Sequence, residues 1–228
     1  MRIRHNLTVY LITMVAMVAM VVTGCKKEKD DPETVADIDG NVYKTVVIGS
    51  QVWFGENLKT TKYGNGEPIP EVTGETEWFN LTSGAHCRYN NNSANTPVYG
   101  LLYNWHAVKD SRNVCPDGWH VPTYNDWVTL VDFLGGESVA GGKLKEKGTS
   151  HWFSPNTGAT DEYGFTALPS GYRMSGSFQQ PGYYGVFWSS TEEDATDGWI
   201  LNLVSSSTQS YLESAYKTDG YSIRCIKD

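Results

Sequence analysis

The sequence predicts an α+β domain of short strands and long loops, with helices in the minority. Three observations lead there. The composition is rich in aromatics and turn formers, with eight Trp, fourteen Tyr and 23 Gly, while long helical periods are scarce. Val42–Ile48 and Gln51–Phe54 are β-rich runs separated only by Gly49-Ser50, a hairpin signal. Finally, Val114 to Gly136 holds one complete helix signature. Thr123 is a good N-cap, and Asp126 three residues later favours the positive helix end. Trp127, Leu130, Val131 and Leu134 form one apolar stripe, and Gly135-Gly136 closes the helix. The strands are expected to pack against this helix.

Taken in order, residues 1–24 read as a signal peptide outside the fold. Arg2, Arg4 and His5 precede an apolar run from Val9 to Val22. That run is about 14 residues, where a membrane-spanning helix needs roughly 20. Val22-Thr23-Gly24-Cys25 looks like a bacterial lipobox, which implies cleavage and acylation at Cys25. With about 0.8 kcal/mol for each buried acyl CH₂, two or three chains would hold the protein durably on a membrane. Residues 25–36 are charged, contain Pro32 and lack an apolar period, so they read as a flexible tether. Lys26 is not the Asp that commonly retains lipoproteins in an inner membrane, which favours an outer membrane. The acidic run Glu28, Asp30, Asp31, Glu33 resembles surface-export signals of Bacteroidetes lipoproteins; a merely solvated linker is the alternative.

Residues 37–228 suffice for one domain with a real core. Without Arg2 and Arg4, 16 basic residues face 26 acidic ones, a net charge of −10. Such a chain repels a phosphate backbone, so nucleic acid is not an expected partner. Three cysteines remain besides Cys25, namely Cys87, Cys115 and Cys225. Export permits a disulfide, an odd count leaves at least one thiol over, and no C-x-x-C suggests zinc.

Within the domain, Asp39-Gly40-Asn41 marks a turn ahead of the hairpin, Gly64 to Pro70 is turn-rich, and Ser83 to Pro97 reads as a long polar loop. Tyr99 to Val108 suggests a short helix with Leu102, Trp105 and His106 inward. Glu137 to Lys147 suggests another, interrupted by Gly141-Gly142. Tyr163–Tyr172, Val186–Ser190, Trp199–Val204 and Tyr221–Ile226 are the expected later strands.

D-I-D-G-N-V-Y-K-T-V-V-I-G-S-Q-V-W-F-G-E-N-L (from Asp37), Y-G-L-L-Y-N-W-H-A-V (from Tyr99), C-P-D-G-W-H-V-P-T (from Cys115), F-W-S-S-T-E (from Phe187) and G-Y-S-I-R-C-I-K-D (from Gly220) carry a resemblance. They resemble the successive blocks of the Fibrobacter succinogenes major paralogous domain family, whose molecular function is largely uncharacterised. Phe54 stands where Met is expected. More distantly, G-W-H-V-P-T-Y-N-D-W is similar to a strand-to-helix block of formylglycine-generating enzymes, and G-Y-S-I-R-C to their closing strand. This likeness implies a C-type-lectin-like fold: a twisted antiparallel sheet, two short helices, long loops and adjacent termini. In that arrangement the final strand returns beside the segment that enters the main helix. The resemblance therefore implies a Cys115–Cys225 disulfide, with Cys87 the free thiol in the polar loop; three reduced, packed thiols are the alternative.

The resemblance does not bring a reaction with it. Sulfatase-modifying relatives hold copper and substrate with a cysteine pair near the C-terminus, and only Cys225 lies there. His86, His106, His120 and His151 have no metal-ligand spacing, and Ser189-Ser190-Thr191-Glu192 lacks a G-x-S-x-G context. No catalytic residue, cofactor or metal is therefore assigned. Sugar-binding lectins carry Glu-Pro-Asn or Gln-Pro-Asp; here Gln180-Pro181-Gly182 lacks the carboxylate, and no Trp-Asn-Asp follows. Glu192, Glu193, Asp194 and Asp197 form an acidic loop, read as a solvated turn before a calcium site. Aromatics crowd the segment from Gly171 to Trp199; Trp188 and Trp199 read as core, whereas Phe178, Tyr183 and Tyr184, set among Gly, Ser, Gln and Pro, are the candidate ligand contacts. The expectation is a tethered, non-catalytic module that binds a glycan or protein, with a structural envelope lipoprotein as the alternative and a formylglycine-generating-like enzyme last.

Overall fold

The computed structural model describes residues 33–228; the segment read as a signal peptide, Cys25 and most of the segment read as a tether lie outside the described residues. The described chain opens with β1 (Thr34–Ala36), which pairs antiparallel with β2 (Val42–Ile48). This corrects the tether reading, since residues 34–36 are an edge strand. Its three residues, Thr34-Val35-Ala36, are too few to show a period, but Val35 packs on the core and Thr45 bonds the Glu33 carbonyl through both its amide and its hydroxyl. The intervening turn is built by Asp37, whose carboxylate accepts from the amides of Asp39 and Asn41, from Asn41 Nδ2 and from Tyr43 Oη. Gly49, at φ 63°, turns the chain into β3 (Gln51–Phe54), as the hairpin signal predicts.

The middle of the chain departs further from expectation. Helix α1 (Glu75–Phe79) had no sequence signal, and β4 (His86–Cys87) lies inside the segment read as a polar loop. Cys87 is therefore a buried thiol. The single helix expected over Tyr99–Val108 is instead α2 (Thr96–Tyr99), β5 (Leu102–Tyr103) and α3 (Trp105–Val108). Gly100 breaks it at φ 73°, where a Cβ would come 2.7 Å from that of Asn57. Asn104 then restarts a helix by accepting from the Ala107 amide. His106 is only half-buried.

After β6 (Trp119–His120) comes α4 (Tyr124–Phe133), with a full capping box between Thr123 and Asp126. Trp127, Leu130, Val131 and Leu134 are all buried, and Gly135 and Gly136 take positive φ. Helix α5 (Glu137–Leu144) runs straight through Gly141-Gly142. Those glycines admit neighbouring backbone: added Cβ atoms would lie 2.0 Å from the Gln209 carbonyl oxygen and 2.5 Å from that of Gly158.

No strand forms over Tyr163–Leu168. Asp161 takes the amide and hydroxyl of Thr166, whose φ is 49°. Extended structure resumes at β7 (Tyr172–Met174) and its partner β8 (Ser177–Gln179). A three-stranded antiparallel sheet follows: β9 (Tyr184–Glu192), β10 (Asp197–Val204) and the unpredicted β11 (Ser210–Tyr216), in the order β11-β10-β9. Of the strand expected over Tyr221–Ile226, only Ile226 joins Lys227 in β12 (Ile226–Lys227). Residues 221–225 cross the core, pairing piecemeal with Tyr103, Val186, Trp188, Leu58 and Phe54.

The second main sheet has order β1-β2-β3-β12-β6, so it carries both the first and the last strand. With every named strand pair antiparallel and few, short helices, the class is α+β. Cys115 and Cys225 are joined by a disulfide across 110 residues. A crosslink of that span contributes about 4–5 kcal/mol in the chain-entropy account.

Candidate functional site

The three aromatics singled out by sequence do not form one surface. Phe178 is half-buried, edge-on to Tyr89 at 5.3 Å and 4.9 Å from the Arg173 guanidinium carbon. It is a packing residue. Tyr183 is 45% exposed and lies edge-on to Phe153, also exposed, at 4.7 Å. Tyr184, the first residue of β9, faces a groove of about 410 Å³. Trp188 is fully buried, and Trp199 is half-buried against Tyr124.

That groove follows from strand alternation. Tyr184 and Val186 of β9, Ile200 and Asn202 of β10, and Glu213 and Ala215 of β11 share one sheet face. Tyr172 of β7 and Tyr221 of the crossing segment wall it. The Tyr172 ring lies 5.9 Å from that of Tyr184 and 5.7 Å from that of Tyr221. At the rim, Met174 and Tyr216 are 42% and 61% exposed.

Polar groups are set into these aromatic walls. Asp219, only 3% exposed, accepts from Tyr221 Oη at 3.1 Å and from the Ser175 amide at 3.4 Å. Burial pushes its carboxyl pKa up to about 6, and the charge of Asp197 acts in the same direction. Burial also raises the Tyr172 and Tyr221 phenols, which therefore stay neutral hydrogen-bonding groups. Asn202 donates to Glu213 at 3.2 Å. Asn202 Oδ1 and Asp197 Oδ1 have no hydrogen-bond partner. Such a surface can stack a flat ring and accept a hydrogen bond at the exposed Glu213.

The acidic loop is organised around an internal cation. The Lys217 ammonium, nearly buried, bonds Glu192 and the carbonyls of Asp194 (2.6 Å) and Ala195 (2.9 Å), 4.8 Å from the Trp105 ring centre. Asp194 caps the turn, taking the amides of Thr196 and Asp197, which holds its carboxyl below the ordinary range. Among the described residues, no group of three or more His, Cys, Asp or Glu is arranged to hold a metal. The histidines are dispersed: His120 bridges Asp126 and Asp228, His151 bonds Glu146, and burial drives the His86 pKa down to about 4. Ser189 Oγ accepts from the Thr191 amide and Ser190 Oγ donates to the Val121 carbonyl, so both tie backbone together.

Sequence reasoning missed Asn202, Glu213, Tyr216, Asp219 and Tyr221 as groove residues. The alternation of β11 was the one available signal, and its polar composition hid it.

A family model described as the Fibrobacter succinogenes major domain matches residues 46–227, a span that includes every groove residue. The chain belongs to that family. No curated protein and no solved structure matches it.

Proposed function

We propose that this family member is a lipid-anchored, non-catalytic binding protein that takes a glycan in the groove between β7 and the β9–β10–β11 sheet. The observation that carries the reading is the groove itself. Tyrosine rings there share the lining with carboxylates and an amide, the pairing that suits the apolar face and hydroxyl edge of a sugar. The placement of the first and last strands in one sheet, with Trp127 of α4 stacked on Trp53 of that sheet, supports a C-type-lectin-like fold. Acylation at Cys25 after removal of residues 1–24, with a tether ahead of the domain, would hold the groove at the outer membrane, exposed on the cell surface. No helix among the described residues is long and apolar enough to cross a membrane. A protein ligand is the second reading, favoured by the exposed Phe153–Tyr183 pair outside the groove. The charge balance makes nucleic acid an unsuitable partner.

A glycan array probed with the purified chain tests the main reading. Binding should fall roughly tenfold in Tyr216→Ala, whose exposed side chain can be removed without disturbing the core. An array without hits, or hits indifferent to Tyr216, would remove the glycan reading. For the anchor, Cys25→Ala should abolish incorporation of labelled palmitate; undiminished labelling rejects it.

A further inference from the structure

The same groove has a one-sided charge. Asp197, Glu213 and Asp219 line it, whereas none of its lining residues is Lys, Arg or His. The nearby Lys217 ammonium does not compensate, because it is turned away into the acidic loop and held by Glu192 and two carbonyls. Arg173, which alternates with the groove-facing Tyr172 and Met174, is likewise committed to the carbonyls of Val72, Thr73, Gly74 and Gly176. The groove therefore keeps its negative field. Asp197 Oδ1 and Asn202 Oδ1 are themselves buried, so the carboxylate that meets a ligand is Glu213, exposed on β11. What is missing from this surface is a positive, donating group.

Resting on the proposed glycan reading, we infer that the groove selects an amino sugar with a free ammonium group over neutral and anionic sugars. Charge and aromatic wall lie together here: Asp219 bonds the hydroxyl of Tyr221, whose ring adjoins that of Tyr172. An ammonium borne directly on a pyranose ring reaches a carboxylate while the ring lies against tyrosine. It also gains from the tyrosine faces themselves. A sulfated or uronic acid sugar would bring its charge against three carboxylates. A lysine peptide satisfies the charge but presents a flexible stem in place of a flat ring.

Calorimetric titration of the purified full chain in detergent, near pH 6.5, separates these cases with four probes. They are a glucosamine hexamer, an N-acetylglucosamine hexamer, a galacturonic acid hexamer and a hexalysine peptide. Expected are at least roughly tenfold tighter binding of the glucosamine than the N-acetylglucosamine hexamer and no heat from the galacturonic acid. Glu213→Gln, at an exposed strand position, should weaken the glucosamine probe roughly fivefold more than it weakens the N-acetylated probe. Equal binding of the two hexosamine probes overturns the charge selection while the glycan reading stands. No binding by any sugar overturns both. Hexalysine binding as tightly as glucosamine overturns the sugar assignment in favour of a basic peptide.

Discussion

Helix α4 and the loop between Lys145 and Gly171 are held still by different physics. The helix is held by apolar contact. Trp127 stacks on Trp53 at 4.7 Å and meets Phe165 and Phe187, and Leu130 and Val131 complete a buried stripe. The loop has little regular structure, and its carbonyls are gathered by buried cations. Arg224, fully buried, donates to Asn57 Oδ1 (2.8 Å) and to the carbonyls of Phe54 (3.1 Å), Phe165 and Thr166 (3.0 Å). Its guanidinium carbon lies 4.5 Å from the Phe165 ring centre. Lys145 reaches the carbonyls of Thr157, Val204 and Ser207 at 3.0, 2.9 and 2.7 Å. Arg173 repeats the device elsewhere, against Trp78 and Phe178. Where a chain cannot ladder its own carbonyls, a charged donor beside an aromatic ring does that work.

The most severe break of this comparison is Arg224→Met. It keeps the apolar stem but leaves four acceptors without their donor, each unmade bond costing about 1–3 kcal/mol when buried. The expected loss is on the order of 5 kcal/mol, read from urea denaturation, with Arg224→Lys recovering only a small part because it lacks the planar fork. Leu130→Ala is the matching cut in the helix. Its cavity should cost about 3 kcal/mol, within the range for buried leucines, while the exposed Thr129→Ala should cost far less. If Arg224→Met melted later than Leu130→Ala, the loops would owe their order to apolar packing after all.

This difference also decides what could be read from the residues. Around α4 every signal is local: Thr123 and Asp126 are three residues apart, and the stripe and closing glycines follow at once. The hairpin through Gly49 is legible for the same reason. Arg224, by contrast, meets partners 58 to 170 positions away, and Lys145 partners 12 to 62 away, so no window of sequence shows either. Phe178 reads as exposed among polar neighbours, but Arg173 across the β7–β8 hairpin and the distant Tyr89 cover it, and the Tyr89 contact leaves no local trace. Half of the groove is hidden likewise. Tyr184 stands out as an aromatic, but Glu213 and Tyr216 belong to a polar strand, and Asp219 acquires its raised pKa only from tertiary burial.

The gentlest test leaves the chain intact and titrates one cation. Burial pulls the Lys145 ammonium down from its ordinary 10.5 to about 8, while the surrounding carbonyls favour its charged form. Between those two pH values the unfolded chain binds the proton that the folded chain has released. Stability attributable to Lys145 must then rise with pH across that window, because burial of the charge is a penalty fully present below about pH 8. Subtracting the unfolding free energy of Lys145→Met removes the titrations the two proteins share. The difference should climb by about 1 kcal/mol for each pH unit from 8 towards 10. A flat difference over that range would mean that the carbonyls offset burial in full and hold the proton as tightly as water does.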